Sequence, residues 1–199
     1  MFEKILINKY YFLIFILFLF TACGGSQNSQ VAIAGVSTEN IEINSNEQEI
    51  LNAINKARSI QRDCYPNDST KGVVGPSRPL SWNTQLYAAA LEHSTDLATS
   101  NTFSHNGSGT SSDITGNGTP SQFFERIVAN GYSNYYAVGE NIAGGQQTLE
   151  EVMAAWLASP GHCENIMSNN YTEVGVAIVQ NSNSTYGIYW AQEFGSKRQ

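Results

Sequence analysis

From Thr172 to Phe194 the chain carries two runs in which side chains alternate in character along the backbone. Val174, Val176 and Ile178 fall on one side of the first run, and Tyr186, Ile188 and Trp190 on one side of the second. Between them Asn181-Ser182-Asn183-Ser184 has the chemistry of a turn. A period of two is the period of a strand, so 172–180 and 185–194 predict an antiparallel hairpin. Everything upstream that is periodic has the other period. Residues 47–62 place Ile50, Ile54, Ala57 and Ile60 at helical spacing, and Pro66 closes that segment. A second helix, capped by Ser81 or Asn83 and running to about Ser100, has a stripe of Leu86, Ala90, His93 and Leu97. A short one over 121–130 follows Pro120, and 148–159 opens with the Thr148/Glu151 capping-box pattern and stops at Pro160-Gly161. Helices first and strands last predict an α+β domain, with helices packed on a small antiparallel sheet. The polar stretch after His105 has almost nothing to bury and reads as loop.

The front of the chain is of another kind. Lys4 and Lys9 precede an apolar run from Tyr10 to Phe20, closed by the small pair Thr21-Ala22. That run is shorter than the ~20 apolar residues a spanning helix needs and has the length of a cleavable export signal. Leu19-Phe20-Thr21-Ala22-Cys23 resembles a bacterial lipobox, which implies acylation of Cys23, with a palmitate-like chain as the membrane anchor. An ordinary secretory signal with an incidental cysteine is the alternative. The expected organisation is a signal peptide over 1–22, a flexible tether over 23–45 rich in Gly, Ser, Gln and Asn, and one domain over 46–199. Gly24, where an aspartate would favour inner-membrane retention, points to the outer membrane in a Gram-negative source.

Loss of residues 1–22 removes Glu3, Lys4 and Lys9 and leaves 8 Lys and Arg against 16 Asp and Glu, a net charge of −8. Such a balance argues against nucleic acid, whose binding rests on basic surface. With Cys23 acylated, Cys64 and Cys163 remain as an even pair, and export favours a disulfide between them over two free buried thiols.

Four stretches in order go further: HSTDLATSNTFSH (93–105), VGENIAGG (138–145), WLASPGHCENIMSNNYTEVGVA (156–177) and YWAQEFG (189–195). With PLSWNTQLYAAA and FFERIVANGY they resemble the CAP superfamily of cysteine-rich secretory proteins, antigen 5 and pathogenesis-related proteins. The resemblance runs from about Glu47 to Gly195. It implies an α-β-α sandwich with a small central antiparallel sheet flanked by helices, and a cleft where histidines meet acidic residues. By motif those residues are His105, Glu140 and His162. The second glutamate that many animal members carry just after the helix tryptophan falls on Ser159 here, so that carboxylate is missing from its usual place. The Cys64–Cys163 pair also matches bacterial members.

Two imidazoles and a carboxylate are a ligand set for Zn2+ or another divalent metal with a position left open. The same groups suit proton transfer, and they equally suit a hydrogen-bonded structural cluster. Three functions stay open. The first is a binding module at the cell envelope, with a small molecule, lipid, glycan or protein as ligand. The second is a metal-dependent peptidase or cell-wall hydrolase with His105, Glu140 and His162 as its machinery. The third is a structural envelope protein. A monomer is expected. His93, on an apolar stripe, reads as a core histidine before a ligand. Glu164 and Asn165 read as turn caps, Glu173 as facing solvent or the cleft rim, and Glu193 as facing outward.

Overall fold

The computed structural model describes residues 47–198. Cys23 and the segments expected to be an export signal and a tether lie outside the described residues.

The chain runs through helix α1 (Glu47–Arg58), strand β1 (Ser81–Trp82), α2 (Thr84–Ser100), α3 (Phe123–Ala129), β2 (Tyr135–Gly144), α4 (Leu149–Ala158), α5 (Pro160–Met167), β3 (Glu173–Gln180) and β4 (Ile188–Lys197). The sheet order is β1-β3-β4-β2, so the C-terminal hairpin is its centre and β2 one edge. Both long pairings are antiparallel, while the two residues of β1 add to β3 in parallel. Helices cover both faces. On one, α2 lays Ala90 and Leu97 against Ile142, Ala177 and Ala191. Helix α2 sits so close that a Cβ on Gly175 would come within 2.6 Å of the Leu86 and Tyr87 backbone. On the other face Ile50, Ile54, Val152, Trp156 and Ile166 of α1, α4 and α5 pack on Val174, Val176, Trp190 and Phe194. This is the expected α-β-α sandwich.

Several local expectations change. Helix α1 ends at Arg58, not Arg62, and the Arg58 side chain is fully buried. It donates from Nε to Arg78 O at 2.7 Å and from Nη1 to Ser168 O at 2.9 Å, tying the helix end to two distant loops. The ring of Pro160 does break the helix, but it also starts the next one. Proline at the first helical position lacks only an N–H that would have no partner there, so α5 begins where only a helix stop was expected. VGENIAGG, read only as a motif, is the edge strand β2. Strand β4 starts at Ile188 and leaves Tyr186 in the turn region. Asn83, not Ser81, caps α2, accepting from the N–H groups of Gln85 and Leu86. Glu193 does not face outward: its exposure is 0%. A strand in the middle of a sheet with helices on both faces has no outward side.

Cys64 and Cys163 form a disulfide that ties the loop after α1 to α5 across 99 residues. Closing a loop of that length stabilises a fold by up to about 4–5 kcal/mol in the chain-entropy account.

Candidate functional site

Consecutive residues of a strand point to opposite faces, and on edge strand β2 that alternation builds the site. Glu140 enters the layer of α2 and α3, while Asn141 enters the layer of α4 and α5. Each one fixes a histidine.

On the first side Glu140 lies opposite Glu193 of β4. Its Oε1 contacts His105 Nδ1 at 2.7 Å, and its Oε2 accepts from Arg126 Nη2 at 2.7 Å. Arg126 is buried too. It also donates to His105 O at 2.9 Å and to Ser121 O and Oγ at 3.0 Å each, so one guanidinium holds the histidine's backbone and both ends of its loop. His93 is a fully buried core histidine, as expected. Its Nε2 lies 3.0 Å from Ser104 O and 3.6 Å from Glu140 Oε2. The polar loop beyond His105 is ordered by two buried aspartates. Asp96 accepts from Ser108 N at 2.7 Å and from Ser112 Oγ at 2.5 Å. Asp113 accepts from Gly109 N and Gly116 N at 3.1 Å each and from Ser121 N at 2.9 Å. Buried backbone N–H groups thus find partners without any apolar core in the loop.

On the second side the clamp is made of neutral amides. Asn165 of α5 donates from Nδ2 to Glu140 O at 3.1 Å and to Asn141 Oδ1 at 2.9 Å. Asn141 in turn donates to Gln192 Oε1 at 2.9 Å and to His162 O at 3.3 Å. Asn165 is therefore a bridge from α5 to β2, not a turn cap. Glu164, also on α5, accepts from Tyr65 OH. Glu173 is held by Asn83 Nδ2 at 2.8 Å and Tyr132 OH at 2.6 Å.

His105 and His162 meet around the edge of β2, with ring centroids 6.5 Å apart. Both line a groove of about 460 Å3, with Ile142, Ala143 and Gly144 of β2 and Gln146 just beyond it, Trp156 and Ser159 on the wall of His162, and Phe103 on that of His105. The outward carbonyls of β2 are already taken: Val138 O by Tyr171 OH at 3.4 Å, Glu140 O by Asn165, and Ile142 O by Trp156 Nε1 at 3.1 Å. An edge closed in this way cannot be extended by a partner strand over those residues.

The two walls differ in charge. Burial opposes ionisation of Glu140, but the hydrogen bond from His105 and the charges of His93 and Arg126 outweigh it and bring its pKa down to about 2. The same hydrogen bond raises the pKa of His105. Burial, with the nearby charge of Glu140, pushes Glu193 well above the carboxylate range. Burial lowers His162, helped by the charge of His105.

The geometry brings together the two histidines and separates the carboxylate from the space between them. Glu140 is buried, has both oxygens engaged, and does not line the groove. Among the described residues no set of three or more His, Cys, Asp or Glu is placed to hold a metal. Two imidazoles on one zinc, at ~2.0–2.1 Å per bond and a tetrahedral angle, have ring centroids about 5 Å apart. The observed 6.5 Å is more than 1 Å longer than that, and the His105 side chain is 54% exposed.

Residues 51–194 match the family described as CAP, the cysteine-rich secretory protein family. The chain belongs to the CAP family. A curated relative of this CAP domain is the uncharacterized protein YkwD of Bacillus subtilis, 36% identical over 120 residues, which are 60% of this chain and 40% of that one. The chain thus spans well under half the length of that relative. A solved Bacillus anthracis extracellular protein containing an SCP domain shares the fold at a TM-score of 0.56 and 24% identity, covering 77% of this chain and 41% of that one. An outer surface protein of Borrelia burgdorferi aligns at a TM-score of 0.48 and 23% identity, over 60% of this chain and 78% of that one. Among the described residues no helix is long and apolar enough to cross a membrane.

Proposed function

We propose that this CAP domain is a binding module displayed at the cell envelope through acylated Cys23, with a groove whose histidines bind a divalent metal. The observation that carries the groove is the convergence of His105 and His162 at 6.5 Å, each held by a different neighbour on one strand. A carboxylate on Nδ1 of His105 orients the ring and leaves Nε2 as the free nitrogen, as carboxylates behind metal-binding histidines do. His105 and His162 would hold the ion, with Glu140 behind one ring rather than among the ligands. Zinc or a similar ion, when bound, supplies a Lewis acid with positions open to a carbonyl or carboxylate. Calorimetric titration of zinc into the protein tests this. One site is expected, lost alike in His105→Ala and His162→Ala. Binding unchanged in either variant contradicts it. Placement at the envelope predicts palmitate labelling of the protein in cells, abolished in Cys23→Ser.

One observation favours a hydrolase as the second reading. The His105–Glu140 pair, 2.7 Å apart and half open to the groove, has the geometry of a general base with its orienting carboxylate. Purified protein would then cleave a peptide or peptidoglycan substrate, and His105→Ala would abolish the cleavage.

A further inference from the structure

The two sides of the sheet end differently. On β2 the outward carbonyls are taken by Tyr171, Asn165 and Trp156. On the other side β1 pairs only with Glu173 and Val174 of β3, and among the described residues no strand continues beyond it. The parity of β3 fixes which groups are left over. Val174 O accepts from Asn83 N at 2.9 Å on the β1 side, and Asn181 N donates to Gly187 O at 2.9 Å on the β4 side. Alternation then turns the backbone N–H and C=O of Val176, Ile178 and Gln180 away from β4. Among the described residues none of these groups is paired with another strand or loop. Val176 is buried, whereas Ile178, Val179 and Gln180 are half-buried, so the open stretch of the edge is Ile178–Gln180. An open edge of this kind is a template for one more strand.

The chain enters the domain beside that edge. Helix α1 starts at Glu47, the first described residue. Burial, and after it the charge of Glu47, raises the pKa of the Tyr87 hydroxyl, which places Glu47 near that ring. Tyr87 in turn belongs to the edge: a Cβ on Gly175 would come within 2.1 Å of its N, and its side chain packs with Val179 on one core cluster. From there α1 runs on to Asn55, which exchanges bonds of 2.9 and 2.8 Å with Leu80, the residue before β1. Just ahead of Glu47 the sequence reads Asn40-Ile41-Glu42-Ile43-Asn44. Polar and β-branched residues alternate there with the period of a strand. Ile43 is four residues from Glu47, a reach of up to about 14 Å.

We infer that residues 40–44 add to the open edge of β3 as a further strand. Its isoleucines extend the side of the sheet on which Ile178 packs under α1, α4 and α5, and Asn40, Glu42 and Asn44 take the other side. The tether then joins the sheet at the edge remote from β2 and leaves the groove uncovered. It also denies copies of the protein an open edge on which to pair. None of this depends on the groove being a ligand site.

The test is amide hydrogen exchange, read by NMR on the full chain in detergent micelles. The N–H groups of Ile178 and Gln180 should exchange about tenfold or more slower in the native chain than in an Ile41→Asp/Ile43→Asp variant. Val31→Asp/Ile33→Asp, in another apolar run of the tether, should leave both unchanged. The N–H of Ala177, which faces β4, reports in every case that the sheet is intact. Fast exchange of Ile178 and Gln180 in the native chain overturns the inference, as does slow exchange that survives Ile41→Asp/Ile43→Asp. An equal loss in Val31→Asp/Ile33→Asp overturns it in favour of that run, and protection that rises with protein concentration gives the edge to a second copy instead.

Discussion

The two walls of the groove reach the same end by different physics. His105 stands on a long polar loop held by charges: a buried carboxylate, a buried guanidinium and two aspartates that accept loop N–H groups. His162 stands on a short helix held by neutral amides and anchored by a disulfide at the next residue, Cys163. Charges in a low-dielectric interior are strong when paired and costly when left alone, whereas amides are weaker and indifferent to pH. One wall should therefore respond to acid and alkali, and the other to reductant.

The largest effect should come from cutting the charged wall. Arg126→Met leaves the Glu140 carboxylate buried without its guanidinium and should cost about 3–5 kcal/mol in urea denaturation. A cost no larger than that of a surface substitution would mean that the loop holds His105 by itself. Next, removing the disulfide in a Cys64→Ser/Cys163→Ser double variant should cost about 2–4 kcal/mol. It should also move the His162 ring resonances more than those of His105. Equal movement in both rings would erase the contrast between the walls.

A smaller loss, about 1–3 kcal/mol, is expected for Asn165→Leu, which strands Glu140 O and Asn141 Oδ1. Since no charge is involved, that loss should be the same at low and high pH. A loss that changes with pH would sharpen the picture by coupling the amide clamp to Glu140.

The subtlest prediction concerns pH. Glu140 has a lowered pKa, so the stability it contributes is present above its ordinary value of 4.5 and is lost as pH falls toward about 2. His105 is raised, so its contribution is present below 6.5 and is lost as pH rises through the raised value. Glu193 is also raised: the native state keeps a proton that the unfolded chain releases above 4.5, so stability falls as pH rises from there. Glu193→Gln should flatten this alkaline fall and leave the acid limb intact, read as melting temperature against pH. A variant with the same alkaline slope as the native protein would assign that slope to His105 alone.

Much of this was readable from the residues. Alternation over Val174–Ile178 marked the hairpin, parity marked the Cys64–Cys163 pair, and motifs marked His105, Glu140 and His162. What escaped did so for identifiable reasons. VGENIAGG has three glycines and a buried Glu-Asn pair, so its alternation lies in where the side chains go rather than in how apolar they are. Proline is a stop for one helix and a start for the next, and Pro160 is both. Glu193 looked outward because a charged residue between Gln192 and Phe194 suits a half-exposed strand, while β4 turned out to be covered on both faces. Arg126 carried a weak signal, a charge beside buried Ile127 on a short amphipathic helix. Nothing local in the sequence marks Asn165 as the bridge to β2, since that role exists only once the edge strand is in place.

The most direct test of the convergence itself is a zinc-edge anomalous difference map from crystals of the protein soaked in zinc. The proposed metal site predicts one strong peak touching the rings of both His105 and His162, with Glu140 behind His105 and not on the metal. A peak bound to one histidine alone, or one that draws Glu140 into its ligands, would contradict the arrangement described.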